Sequence, residues 1–171
     1  MGKAFITVGT TSFDTLLHTL LTEDILRLFV DYGFTDLKIQ HGRTSMTGLL
    51  QARKLAETVG IDLTLFDYKN SLNQDMKHAD LIISHAGSGS ILEALSLKKK
   101  LVVVVNQELL HNHQLELAQE LGDKNYLFYT TCQELKSILE KALSRQQIEF
   151  PQPDSASFIR VIDSEMGYSE L

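Results

Sequence analysis

Leu101-Val102-Val103-Val104-Val105 is an unbroken apolar run, and all but the first of its residues are β-branched. Five residues are too few for a buried helix, and a strand with one wet face would alternate polar with apolar. A strand apolar on both sides belongs inside a parallel sheet whose two faces are covered by helices. The rest of the chain repeats the theme. Ala4 to Val8, Leu37 to Gln40, Ile61 to Phe66, Leu81 to Ser84 and Tyr126 to Tyr129 read as further strands. Helical spacing fills the gaps over Phe13 to Leu21, Asp24 to Val30, Leu49 to Val59, Asn70 to His78, Ser88 to Leu97, His113 to Leu121 and Cys132 to Ser144. Strands alternating with helices predict an α/β fold with a mainly parallel sheet. The first half is less regular and leaves room for an antiparallel strand, that is, a mixed sheet. His41 to Gly48 is polar and contains glycine, and reads as a mobile loop.

With 171 residues the chain has the length of one domain at about 150 residues each. We expect residues 1–150 to form that domain and 151–171 to be an extension, set off by Pro151 and Pro153. Within the extension, Phe158, Ile159, Ile162 and Met166 fall on one helical face of the stretch from Ser155 to Met166. That face suits either packing on its own domain or docking on another chain. Cys132 is the only cysteine, so no disulfide framework exists, and it reads as a small buried hydrophobe.

Sixteen Lys and Arg against 22 Asp and Glu give a net charge of −6. A nucleic-acid binder needs a basic footprint, so this balance argues against one. The one basic run, Lys98-Lys99-Lys100, reads as a solvated turn. No run approaches the roughly 20 apolar residues of a membrane span. The expectation is a cytosolic protein that reaches membranes only through a partner.

Three turns carry residues suited to chemistry, each after a predicted strand, where open α/β sheets bind ligands. In Ser84-His85-Ala86-Gly87-Ser88-Gly89-Ser90-Ile91-Leu92-Glu93 a strand becomes a helix. Gly87 and Gly89 allow close backbone approach, a helix start offers free N–H groups to phosphate, and Ser88, Ser90 and His85 add hydrogen-bonding groups. The same spacing fits a capping box, with Glu93 reaching back to Ser90. A third glycine is missing, which argues against a dinucleotide site, and no Lys follows as in a Walker loop. The second turn, Asn106 to Gln114, holds Asn112, His113 and Gln114, whose directional groups suit sugar hydroxyls. Asn112 equally suits a helix cap, and His111 with His113 lacks a third metal ligand. The third, Gly9-Thr10-Thr11-Ser12-Phe13-Asp14, places hydroxyls toward a polar ligand or uses Ser12 as an N-cap.

The His-x-Gly-x-x-Ser-x-x-Glu spacing of His85 to Glu93 resembles the nucleotide-sugar motif of glycosyltransferases with the two-domain B fold. Phe5 to Asp14, Ala79 to Ser90 and Asn112 to Ala118, in that order, are similar to the catalytic subunits of eukaryotic UDP-N-acetylglucosamine transferases acting on GlcNAc-diphosphodolichol. Those resemble the C-terminal domain of glycosyltransferase family 28. The resemblance implies a Rossmann-like domain equivalent to the C-terminal half of a B-fold enzyme, with helices on both faces. It implies inverting transfer of GlcNAc from UDP-GlcNAc with a β-1,4 product, and no metal or cofactor.

By position, the resemblance implies that Glu93 holds the ribose and that Gly87, Ser88, Gly89 and Ser90 hold the diphosphate, with His85 and Ala86 beside them. It implies that His113 and Gln114 contact the GlcNAc, supported by Asn112, and that Tyr68 with Lys69 offers backbone groups to uracil. Gly9, Thr10, Thr11 and Ser12 would line the cleft. The general base is not identified, with Asp14 and His111 as candidates. In B-fold enzymes it often comes from the other domain. Here that domain would be a membrane-anchored partner subunit, recruiting this chain to the cytosolic face of the endoplasmic reticulum. A non-catalytic module that binds UDP-sugar for regulation is the alternative.

Overall fold

The computed structural model describes residues 1–107 and 112–151; the side chains of residues 46, 47 and 112–114 are not described. Six strands form one sheet: β1 (Gly2–Thr7), β2 (Phe34–Gln40), β3 (Asp62–Phe66), β4 (Leu81–His85), β5 (Lys100–Val104) and β6 (Phe128–Thr130). Their order is β3-β2-β1-β4-β5-β6, and every pairing is parallel. The mixed sheet allowed by the irregular first half is therefore not formed among the described residues. Each strand in that half is followed by enough helix to cross back over the sheet, so parallel pairing is accessible throughout. The helices are α1 (Asp14–Leu20), α2 (Glu23–Asp31), α3 (Met46–Thr58), α4 (Asn73–His78), α5 (Ser88–Ser96), α6 (Asn112–Asp123) and α7 (Leu135–Ser144).

The period of two along each strand sends alternate residues into two separate cores. Ile6, Ile39, Leu63, Ile83 and Val102 pack under α1, α2, α3 and α7. Phe5, Ile82, Leu101 and Val103 pack under α4, α5 and α6 through Met76, Ile91, Leu95 and Leu121. Leu101 to Val104 feed both cores and are fully buried, which is why that stretch cannot alternate. Cys132 packs against the first core but is half-buried, not the buried residue its reading expected.

Several boundaries differ from the sequence pattern. β2 starts at Phe34, because Phe34 packs edge-on to Phe29 with ring centroids 6.1 Å apart. β6 is displaced to Phe128–Thr130, and α4 and α7 start later than their apolar spacing suggests. The α3 stretch ends as expected, with Gly60 in the left-handed region at φ +89°. Gly122 instead lies inside α6, where a side chain would overlap the Tyr129 ring.

The basic run is not a free solvated turn. Lys98 pairs with Glu149 at 2.8 Å, Lys99 donates to the Lys77 carbonyl at 2.7 Å and Lys100 to the Arg145 carbonyl at 2.9 Å. Gln147 bridges the same strand start, accepting from Leu101 N at 2.8 Å and donating to Lys99 O at 2.5 Å. Lys98 and Lys100 thus tie the chain beyond α7 to the start of β5, and Lys99 ties that start to α4. The extension's apolar helical face falls on residues outside those described. Among the described residues no helix is long and apolar enough to cross a membrane.

Candidate functional site

β1 is the pivot of the sheet. The chain leaves it toward β2 on one side, and β4 later pairs on the other. The turns after β1 and β4 consequently diverge and leave a crevice at the carboxyl ends of the strands, where open α/β sheets take ligands.

One wall is sewn together by Gln40, the last residue of β2, which is 2% exposed. Its Oε1 accepts from Thr7 Oγ1 at 2.6 Å and Gly9 N at 3.0 Å. Its Nε2 donates to Gly9 O at 2.6 Å and Asp67 O at 2.7 Å. One amide thereby joins the turns after β1 and β3. Gly42 lies directly beneath the Gly9–Ser12 turn, at φ +56°, where a Cβ would overlap the Thr11 carbonyl. Arg43 N donates to Thr11 O at 3.1 Å, and Phe13 N donates to the buried Thr44 hydroxyl at 3.2 Å. The segment expected as a mobile loop from His41 to Gly48 is therefore a pinned turn running into α3. His41 and Thr44 within it are buried.

Of the cleft-lining group, Thr10, Thr11 and Ser12 are exposed, while Gly9 is half-buried. The Thr11 hydroxyl donates to Val8 O at 3.0 Å and so stabilises its own turn. Ser12 is not the N-cap of α1. That position falls to Phe13, which has no side-chain cap bond, because the buried Phe13 ring anchors the helix start instead. Asp14 is exposed in the first turn of α1.

The other wall is β4 running into α5. Here Ser84 Oγ and Gly87 N both donate to the His85 carbonyl, each at 2.8 Å. Gly87 is the N-cap residue and has no side-chain cap bond, and the first helical bond runs from Ile91 N to Gly87 O at 3.1 Å. The N–H groups of Ser88, Gly89 and Ser90 thus have no partner within the helix. Ser88 and Gly89 are exposed and Ser90 half-buried, while Ala86 is buried beneath them. These donors and the positive end of the α5 dipole make a corner suited to an anion.

The His85 ring stands between two glycines. A Cβ on Gly9 would lie 2.6 Å from its Cε1, and one on Gly87 would overlap its Nε2. Gly87 is therefore required by the histidine as much as by any ligand, whereas Gly89 faces open space. His85 Nδ1 is buried with no hydrogen-bond partner in good geometry. Burial pushes the imidazole below the usual histidine range, and the nearby Thr7 backbone offsets this only in part.

The capping-box reading of Ser90 and Glu93 is not borne out. The helix begins two residues earlier, so Ser90 is already helical and is not the N-cap that such a box requires. Glu93 instead turns toward α4, where its Oε1 accepts from Asn73 Nδ2 at 2.8 Å. Lys69 lies over the Phe66 ring, 4.3 Å from its centroid. It shares Asp75 with Lys38, at 2.8 Å and 2.6 Å. Burial alone would raise the Asp75 carboxyl; the hydrogen bonds from Lys38 and Lys69 outweigh this and hold it below the usual carboxylate range. Tyr68 stands 63% exposed at the tip of this turn.

The model for the glycosyltransferase family 28 C-terminal domain matches residues 3–164. The chain belongs to this family. Among its relatives, the UDP-N-acetylglucosamine transferase subunit ALG13 of Mus musculus is 44% identical over 135 residues. That match takes in 79% of this chain and 11% of the mouse protein, so the chain spans only about a tenth of that relative's length. A solution NMR structure of ALG13 superposes with TM-score 0.72 at 28% identity, covering 98% of both chains. Acinetobacter baumannii MurG superposes with TM-score 0.63 at 15% identity over 96% of this chain and 52% of that one. At that identity the MurG likeness speaks for the fold alone. Together these matches give the domain the Rossmann-like architecture of the C-terminal half of a B-fold glycosyltransferase.

In this family 28 domain the crevice brings together Gly9 to Ser12, His85 to Ser90 and Glu93. The backbone of Asn112, His113 and Gln114 opens α6, as expected of a segment following β5. Their side chains, and His111, fall outside the described residues. Gln40, Asn73 and Asp75 were not legible as site residues. A polar residue at the carboxyl end of a strand was the signal available for Gln40. Asn73 and Asp75 lie in an ordinary short polar helix.

Proposed function

We propose that this chain is the donor-binding, catalytic subunit of a heteromeric N-acetylglucosaminyltransferase. It moves GlcNAc from UDP-GlcNAc to GlcNAc-diphosphodolichol with inversion, forming a β-1,4 bond. The observation that carries this reading is the convergence of the uncapped α5 start, His85 and Glu93 on one side of the β1/β4 crevice. Family membership and a relative named as a UDP-N-acetylglucosamine transferase subunit support the donor.

In this reading Glu93 accepts hydrogen bonds from the ribose hydroxyls, while the backbone around Tyr68 and Lys69 meets the uracil. The N–H groups of Ser88, Gly89 and Ser90 and the two serine hydroxyls hold the diphosphate. His113 and Gln114, supported by Asn112, contact the sugar. The acceptor hydroxyl attacks the anomeric carbon from the face opposite the diphosphate. The new carbon–oxygen bond forms as the bond to UDP breaks, and UDP leaves with its extra negative charge. Donors fixed before the reaction stabilise that charge without reorganising. The acceptor proton passes to a general base. Asp14 is the described candidate on this chain, and the partner chain is the other source.

The partner supplies the acceptor-binding half and the membrane anchor, on the cytosolic face of the endoplasmic reticulum. We assign residues 1–150 to donor binding and 151–171 to docking on the partner. The test is co-purification with membranes carrying the partner, followed by transfer from labelled UDP-GlcNAc to a dolichol-type acceptor. Transfer that requires both chains is the expected result. Donor binding without transfer in the presence of every candidate membrane would favour the regulatory module instead. Truncation before Ser155 should abolish membrane association and leave the circular dichroism of the domain unchanged; wild-type association of the truncated chain would remove the docking assignment.

A further inference from the structure

We infer that Asn73 is a positioning residue for donor binding, acting through Glu93 from the opposite side of the crevice. The inference rests on the reading that Glu93 holds the donor ribose. Glu93 projects from the second turn of α5 and is half-buried. Asn73 is the first residue of α4, a separate element 20 residues earlier, and its Nδ2 donates to Glu93 Oε1 at 2.8 Å. The orientation of the amide follows from the partner, since an ionised carboxylate can only accept. A free Glu side chain has three rotatable bonds and samples many positions. Tying one oxygen to a fixed donor leaves the other oxygen, and the second lone pair of the first, presented in a single direction.

Such a tether works only if its own base is rigid, and α4 is held from three directions. Asp75, whose side chain is 7% exposed, is clamped between Lys38 on β2 at 2.6 Å and Lys69 at 2.8 Å. Lys69 is itself seated on the Phe66 ring. Met76 is fully buried in the second core. Gln40 fixes the preceding turn through Asp67 O at 2.7 Å. Two lysines are thus committed to one carboxylate so that a six-residue helix has a defined start. The functional consequence of that order is the placement of the Asn73 amide against Glu93. The geometry also keeps Glu93 from folding back onto the α5 N-terminus, where it would compete with a phosphate for the same N–H groups.

The experiment is a double-mutant cycle in the complex with partner-bearing membranes, reading KM and kcat for UDP-GlcNAc. Glu93→Ala should raise KM by about 10- to 100-fold, the range for loss of hydrogen bonds to a charged group. Asn73→Ala should raise KM by about three- to tenfold with kcat nearly unchanged, and should add nothing in the Glu93→Ala background. Asn73→Asp, of equal size, should raise KM further than Ala, because it sets two carboxylates against each other. Circular dichroism should show every variant folded. An Asn73→Ala effect that persists in full without Glu93, or a fall in KM, would overturn the positioning role; the latter would mean that the bond competes with the donor. An unchanged KM in Glu93→Ala would instead remove the ribose assignment itself, so the two failures are distinguishable.

Discussion

The two walls of the crevice are built on opposite plans. The wall formed by the turns after β1, β2 and β3 spends its polar groups on itself. Gln40 bonds both Gly9 and Asp67, Thr11 bonds Val8, Thr44 bonds Phe13, and Arg43 bonds Thr11. The wall formed by β4 and α5 does the reverse. Its N-cap is a glycine without a cap bond, its first helical N–H groups have no helical partner, and Glu93 turns away from the helix start. A group already paired inside the protein must break that bond before it can serve a ligand, while an unpaired donor at a helix start gains from one. The self-satisfied wall is the scaffold, and the open wall is the one whose donors are free to take an anion.

The largest effect should come from cutting the suture. Gln40→Leu keeps roughly the size of the side chain but takes the acceptor from the buried Thr7 hydroxyl, leaves Gly9 N–H only its 3.2 Å bond to Thr7 Oγ1, and removes the donor to two partly buried carbonyls. A loss of about 3 kcal/mol or more in chemical denaturation is expected, since several buried polar groups lose partners together. A loss below about 1 kcal/mol would mean that water replaces the amide and that this wall is no scaffold. Gly87→Ala comes next. Its Cβ would overlap His85 Nε2, so either the ring or the α5 start must move. The expected cost is about 1–3 kcal/mol, as for other overpacked sites, with reduced donor binding. Gly89→Ala, which faces open space, is the matched control and should fold like wild type. Glu93→Ala should cost no more than about 1 kcal/mol, the net contribution of the one hydrogen bond to Asn73 that it removes. A larger loss would show Glu93 to be part of the scaffold and blur the distinction between the walls.

The fold was legible because burial on both sheet faces leaves unbroken apolar runs such as Leu101 to Val104, and glycines mark several ends. The strand ends were less legible: aromatic packing such as Phe34 on Phe29 extends a strand beyond its apolar run. In the site, the His85–Glu93 spacing put the glycines and serines at the strand-to-helix turn, where the free N–H groups of the α5 start lie. That spacing left Glu93 open between a capping box and a ligand-holding carboxylate, because both need the same spacing. What distinguishes them is Asn73, a contact 20 residues away that no local pattern contains. Gln40 was invisible for the same reason, as its partners Gly9 and Asp67 are brought together only when β1, β2 and β3 pair in register. His41 to Gly48 looked mobile because its composition is that of a loop, while the backbone bonds that pin it come from the turn after β1.

The two walls meet at His85. His85 leaves β4 and fits against Gly9 of the scaffold wall and Gly87 of the open one. Burial disfavours its charged form, so its pKa in the folded protein lies below the ordinary 6.5. The unfolded chain therefore binds the proton first as pH falls. Stability contributed by the neutral ring is fully present above the ordinary value and declines as pH drops below it, until the folded state also takes up the proton. One group can contribute at most about 1.4 kcal/mol per pH unit to this slope. His85→Gln removes the titrating ring while keeping a neutral polar side chain. Its denaturation free energy between pH 5 and 7, read against wild type at about half-unit steps, should lack this component and run flatter. Parallel curves for the two proteins would mean that His85 titrates alike folded and unfolded. The ring would then be open to water in solution, and the junction between the walls looser than the close approach of both glycines requires.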